Sequence, residues 1–147
     1  MKLKIFLILF FLFAACFYSQ TVSALSWKDG ALLKSSDSPK VYVVYNNVKR
    51  WLKSPTIFNS YGFKWSNIKT VKKDVLDPMP EAVLIRQYNQ PEVYLLENNQ
   101  KRWIVGPKIF EESGFSWLAI HLINQTELDK YQTGDPITEK IIKEPEE

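Results

Sequence analysis

The chain has 147 residues, 46% of them hydrophobic and 14% aromatic, with one cysteine and one histidine. That length suits one compact domain or two small lobes, and the apolar content is ample for a core. The formal charge of +3 comes with no lysine and arginine block on one element, which argues against a nucleic-acid partner, and a lone histidine with a lone cysteine argues against a metal centre or a bound cofactor.

The N-terminus opens with Lys2 and Lys4, continues as an apolar run from Ile5 to Tyr18, and turns polar before Val22-Ser23-Ala24. This is the pattern of a secretory signal peptide over residues 1–24, cleaved before Leu25. The run is shorter than the roughly 20 residues that cross a bilayer as a helix. Two alternatives stay open. Cys16, preceded by Ala14-Ala15, has some features of a lipoprotein cleavage site, and an uncleaved segment would be an N-terminal anchor. All three place the protein outside the cytoplasm, secreted or at the cell envelope, with the membrane touched only through this segment. Removing Lys2 and Lys4 leaves 17 basic and 16 acidic residues, a charge of +1. The charge is uneven: nine basic and four acidic residues lie in 30–81, against two and five in 134–147.

Beyond residue 24 the chain is written twice. Asn46-Asn47-Val48-Lys49-Arg50-Trp51 recurs as Asn98-Asn99-Gln100-Lys101-Arg102-Trp103, and the offset of 52 holds without a gap from residues 32–77 to 84–129. Such a period means one supersecondary unit used repeatedly, the copies completing each other's core. The units are assigned to 25–81 and 82–133, and 134–147 begins a third pass, read as a capping strand and a charged tail.

Within each unit the elements follow from local chemistry. A first short strand lies around Leu32 or Leu84. Asparagine tolerates the positive φ of a two-residue hairpin turn, so Asn46-Asn47 and Asn98-Asn99 predict hairpins that set Tyr42 opposite Trp51 and Tyr94 opposite Trp103. Ser54-Pro55 supplies an N-cap and a first-turn proline, and Gly62 a left-handed stop, so a two-turn helix buries Ile57 and Phe58. Gly106-Pro107 to Gly114 repeats that helix. Short strands follow Trp65 and Trp117, themselves expected in the core, and Asn124 with Glu127 reads as a capping box opening a last helical turn. The expected class is α+β: two tandem units, each of short strand, β-hairpin, short helix, strand and short helix, plus the capping strand.

The sequence of these signals, G-x-L-x-K, VY, N-x-K-R-W-(I/L), P-x-x-F, G-(F/Y)-x-W and L-D, resembles uncharacterised tandem repeats of about 50 residues in predicted exported bacterial envelope proteins. The resemblance spans nearly all of the chain after residue 24. It implies export and an envelope or extracellular binding role, and brings no catalytic residues with it. Ala82 stands where the first copy has Gly30, and Gly106 where it has Ser54.

Chemistry-bearing residues are few. His121 has Lys69 as its counterpart, which removes support for a repeated histidine site; a structural or surface role is expected. Arg50 and Arg102 fall on the strand face of Leu52 and Ile104, where a partly buried guanidinium needs a fixed acceptor; Asp77 and Asp129, or helix C-terminal carbonyls, are the candidates, with anion binding as the alternative. Trp51 and Trp103 fall on the other face with Tyr42, Tyr94, Lys49 and Lys101. Flat rings beside long polar chains suit sugars or protein partners, unless they simply cover the sheet.

The reading that results is a non-enzymatic binding or adhesion module for an envelope glycan or surface polymer. An interaction module for an exported protein is the alternative, and an envelope hydrolase a more distant one. Intact mass of the exported protein checks the location: the expected N-terminus is Leu25, and a diacylglyceryl adduct on Cys16 or a retained Met1 contradicts it.

Overall fold

The computed structural model describes residues 26–141. The expected signal segment with Cys16, and residues 142–147 of the tail, lie outside the described residues. Strands and helices mix in two sheets, so the α+β class holds.

The first sheet holds β1 (Ala31–Ser35), β2 (Val41–Tyr45), β3 (Val48–Trp51) and β4 (Lys69–Val71) in the order β3-β2-β1-β4, with β4 parallel to β1 and the other neighbours antiparallel. Between β3 and β4 run α1 (Pro55–Ser60) and a 3₁₀ turn, Trp65–Asn67, and α2 (Lys73–Leu76) follows β4. The second sheet holds β5 (Leu84–Gln87), β6 (Val93–Glu97), β7 (Gln100–Trp103), β8 (Ile120–Ile123) and β9 (Gln132–Thr133) in the order β8-β5-β6-β7-β9. Its helices are α3 (Pro107–Glu112) and α4 (Gln125–Leu128), with a 3₁₀ turn at Trp117–Ala119.

Backbone chemistry explains these elements. Asn46 and Asn47 have φ of 51° and 58°, and Asn98 and Asn99 have 51° and 64°; two successive positive φ values make the turn whose twist matches the flanking strands. Tyr42 accordingly pairs with Trp51 and Tyr94 with Trp103. Ser54 caps α1 by accepting from the Ile57 amide at 3.2 Å. Gly62, at φ +68°, turns the chain back so that the Phe63 ring meets Phe58 edge-on at 5.6 Å.

Each sheet is covered on both faces. In the first, Leu32, Val43, Leu52, Ile57 and Phe58 pack beneath α1, while Leu33 and Val44 pack with Leu76 of α2 on the other face, joined by Tyr42 and Trp27. In the second, Leu84, Leu95, Ile104 and Phe110 form one cluster, and Ile85, Ile123, Leu128 and Tyr131 form the other.

The chain after the second sheet behaves as the chain after the first. The Ala82 amide donates to the Lys49 carbonyl at 2.8 Å, and the Gly134 amide, 52 residues on, donates to the Lys101 carbonyl at 3.1 Å. Ile137 then bridges to Ile104 and is buried in that cluster. The exposed edge of β7 is thereby covered by the chain's own C-terminal segment.

The halves meet at a buried polar cluster. Arg50 and Glu127 are 2% and 0% exposed and form an ion pair. Tyr61 donates to Glu127 Oε2 at 2.6 Å and Tyr131 to Oε1 at 3.3 Å, while the Asn124 amide donates to the Tyr61 hydroxyl at 3.0 Å. Burial works against the Arg50 charge, but the Glu127 carboxylate together with the Tyr61 and Tyr131 oxygens holds the guanidinium pKa above its ordinary value. Burial, reinforced by Glu127, raises the Tyr131 phenol, and burial raises that of Tyr61, so both remain hydrogen-bond donors.

Two expectations are corrected here. The acceptor for Arg50 is Glu127, not Asp77 or a helix carbonyl; Asp77 and Asp129 are both exposed at helix ends. Arg102 instead is half-buried and bonds Glu97 at 2.8 Å and the Asp135 carbonyl at 2.9 Å. The capping box is also half made. Asn124 accepts from the Glu127 amide at 2.9 Å, but the Glu127 carboxylate turns to Arg50 instead of back to Asn124.

His121 is buried beside Tyr45, with ring centroids 5.8 Å apart, and neither nitrogen has a hydrogen-bond partner among the described residues. Burial first, and then the Arg50 charge, depress its pKa to about 4, so it is neutral at pH 7.

The cluster generates a stability prediction. Glu127→Leu strands a buried guanidinium and should cost about 3–5 kcal/mol in urea unfolding. Adding Arg50→Met should recover part of that loss. Equal losses in the single and double variants would contradict the ion pair's role.

Candidate functional site: two equivalent aromatic pockets

The six residues expected to form a platform are brought together only in part: Tyr42 lies opposite Trp51 and Tyr94 opposite Trp103, and Lys49 Nζ is 5.7 Å over the Tyr42 ring, but the tyrosines and lysines are engaged elsewhere. Tyr42 packs into the cluster under α2, and Tyr94 into the one under α4. Lys49 Nζ donates to the Leu76 carbonyl at 2.7 Å, and Lys101 Nζ to the Leu128 and Tyr131 carbonyls at 3.1 and 2.8 Å. These ammoniums sit at the C-terminal ends of α2 and α4, where a cation satisfies carbonyls left open by the helix. Trp51 and Trp103 alone of the six reach an aromatic cavity, and each does so beside a tryptophan that hydrophobicity assigns to the core.

Each cavity begins with the helix after the hairpin. Phe58 of α1 is 1% exposed and forms the floor with Leu52, the residue after β3. The turn at Gly62 brings the chain back, and Phe63 takes the place against the helix that an inward residue would fill. Trp65, two residues on, stacks on the Phe58 ring at 4.0 Å and remains 51% exposed. Its indole N–H donates to Asn59 Oδ1 at 3.1 Å, so the ring is fixed both by stacking and by a hydrogen bond. Trp51 lines the same cavity, and prolines 39 and 55 form its rim; the volume is about 320 Å³.

The second half builds the same cavity. Trp117 stacks on Phe110 at 4.1 Å, is 47% exposed, and donates to Glu111 Oε1 at 3.3 Å, Glu111 being 52 residues beyond Asn59. Trp103 lines that cavity, with Pro91 and Pro107 at the rim and Ile104 and Phe110 below; its volume is about 210 Å³. Both sites thus present two indoles around a phenylalanine floor. Such walls suit the C–H face of a sugar ring or an apolar side chain.

The rims differ. Lys40 lines the first cavity together with Lys53. Their counterparts are Glu92, which lines the second cavity, and Val105. A separate groove of about 260 Å³ runs between the halves, lined by Trp51, Lys53, Asn98, Asn99 and Tyr131 among others. Trp51 and Lys53 therefore face both the first cavity and the groove.

Trp65 and Trp117 are corrected from core residues to pocket walls. Their signal is present in the sequence: Phe58 and Phe63 already supply the inward aromatics of the first unit, and a further ring two residues on must lie beyond them. Among the described residues no group of three or more His, Cys, Asp or Glu side chains is placed to hold a metal ion. No helix among them is long and apolar enough to cross a membrane.

The chain matches no protein-family model, and no curated protein and no solved structure is significantly similar to it.

Proposed function

We propose that the chain is an exported, non-enzymatic binding module that holds a glycan or another surface polymer of the cell envelope through its two aromatic pockets. In this reading it is an array of two tandem units over 25–81 and 82–133, each of short strand, β-hairpin, short helix, strand and short helix, closed by a capping strand. The resemblance to repeats of exported envelope proteins supports the location, as does the signal-like N-terminus.

One observation carries the reading. Two cavities 52 residues apart share two indoles and a phenylalanine floor, and Trp65 and Trp117, the more exposed rings, are held in place from beneath. A ring needed only for the core would be buried. A pre-set ring open to solvent is ready to stack on a ligand with little loss of side-chain freedom. Two such sites on one chain suit a repeating polymer, because the second site engages at high effective concentration once the first has bound.

The test is a glycan array together with calorimetric titration of envelope polysaccharide fractions into the mature chain. Trp117→Ala and Trp65→Ala should each weaken binding by about 2 kcal/mol, roughly 30-fold, with much smaller losses of folding stability. Phe110→Ala should do the reverse, destabilising by about 3–5 kcal/mol. A blank array with an exported protein recovered by the same two rings would replace the glycan with a protein partner. Cleavage of the polymer by the purified chain would make it a hydrolase.

A further inference from the structure

The two pockets share a frame but not a charge. Lys40 Nζ lies 4.6 Å over the Trp51 ring. Lys53 Nζ lies 5.9 Å from the same ring and 4.7 Å from that of Tyr131, and donates to Asn99 Oδ1 at 2.7 Å. Both lysines are exposed, neither belongs to an ion pair among the described residues, and no carboxylate lines this pocket among them. In the second pocket Glu92 is the only charged lining residue, and Trp103 carries no cation over its ring, again among the described residues.

Resting on the reading of these pockets as saccharide sites, we infer that they take chemically different residues of one polymer: the first an acidic sugar, paired with Lys40 and Lys53, the second a neutral one. A neutral ring that stacks on Trp51 must push the Lys40 ammonium off the indole and offers nothing in exchange. Loss of one exposed cation–π contact weakens binding roughly two- to fivefold. An acidic ring gives that ammonium a carboxylate at the pocket mouth, so the displaced lysine becomes a ligand contact. Lys53, already fixed by Asn99, supplies a second cation with little ordering left to lose. At the second pocket the same anion would meet Glu92, whose charge repels it.

The experiment uses an oligogalacturonate and its methyl ester, which share their sugar rings and differ in charge. Each is titrated into the mature chain carrying Trp103→Ala with Trp117→Ala, which leaves the first pocket, and into the chain carrying Trp51→Ala with Trp65→Ala, which leaves the second; thermal melts confirm that each variant is folded. At the first pocket the acid should bind about tenfold more tightly than the ester in low salt. That preference should shrink in 1 M salt, where the Debye length falls to about 3 Å, and should vanish in Lys40→Ala with Lys53→Ala. At the second pocket the ester should bind at least as well as the acid. Equal binding of acid and ester at the first pocket, or a preference that survives loss of both lysines, overturns charge selection and leaves the saccharide reading standing. No binding of either compound to the unsubstituted chain, with a blank array of acidic and neutral polysaccharides, overturns the saccharide reading and this inference together.

Discussion

The structure depends on one buried charge finding its partner across the join between the two halves. Arg50 belongs to β3 of the first sheet, and Glu127 to α4 after the second. Neither is tolerable alone, since an unpaired ion out of water costs several kcal/mol after relaxation. The pair is therefore less a source of net stability than a condition on geometry: only one placement of the second half satisfies the first. The tyrosines make that condition stricter. Tyr61 comes from the first half and Tyr131 from the second, and both donate to Glu127. Asn124 adds a bond to the Ser60 hydroxyl at 2.9 Å, and Asn46 one to the Leu118 carbonyl at 3.1 Å.

Aligning the chain with itself at an offset of 52 shows why the condition arises once. Arg50 and Arg102 occupy the same position in each copy, but the residue 52 places before Glu127 is Val75. The first arginine meets the following unit; the second, with no described unit after it, meets Glu97 and the backbone of the C-terminal segment instead. The same segment hydrogen-bonds the edge of β7 and buries Ile137. Two aligned arginines thus serve differently: Arg50 joins the halves, and Arg102 ties β7 to the C-terminal segment. The pockets differ in a comparable way, sharing their aromatic walls while Lys40 and Lys53 at one mouth correspond to Glu92 and Val105 in the other copy.

The features legible in the sequence are those that short-range chemistry decides. The asparagine pairs set both hairpin registers, and Ser54, Pro55 and Gly62 bound α1, because each requirement is met within a few residues. Glu127 misleads for the opposite reason. Its local partner, the Asn124 cap, is three residues away and visible, whereas its ionic partner lies 77 residues back and is decided by docking. Strand alternation puts Lys49 and Lys101 on the right face, but the helices that cover it are too short to announce that their carbonyls claim the ammoniums. Hydrophobicity alone sends Trp65 and Trp117 to the core. Their exposure follows from Phe58 and Phe63, and Phe110 and Phe115, having filled the space beneath them.

The central claim is that the Arg50 and Glu127 join makes the two halves one cooperative body that holds both pockets in a fixed relation. Native-state hydrogen exchange tests it most directly. The slowest amides of β2, such as Val43, and of β6, such as Leu95, should share one opening free energy, to within about 0.5 kcal/mol, and should fall together when Glu127 is replaced by glutamine. Two separate plateaus, with only the second half responding to that replacement, would contradict the account.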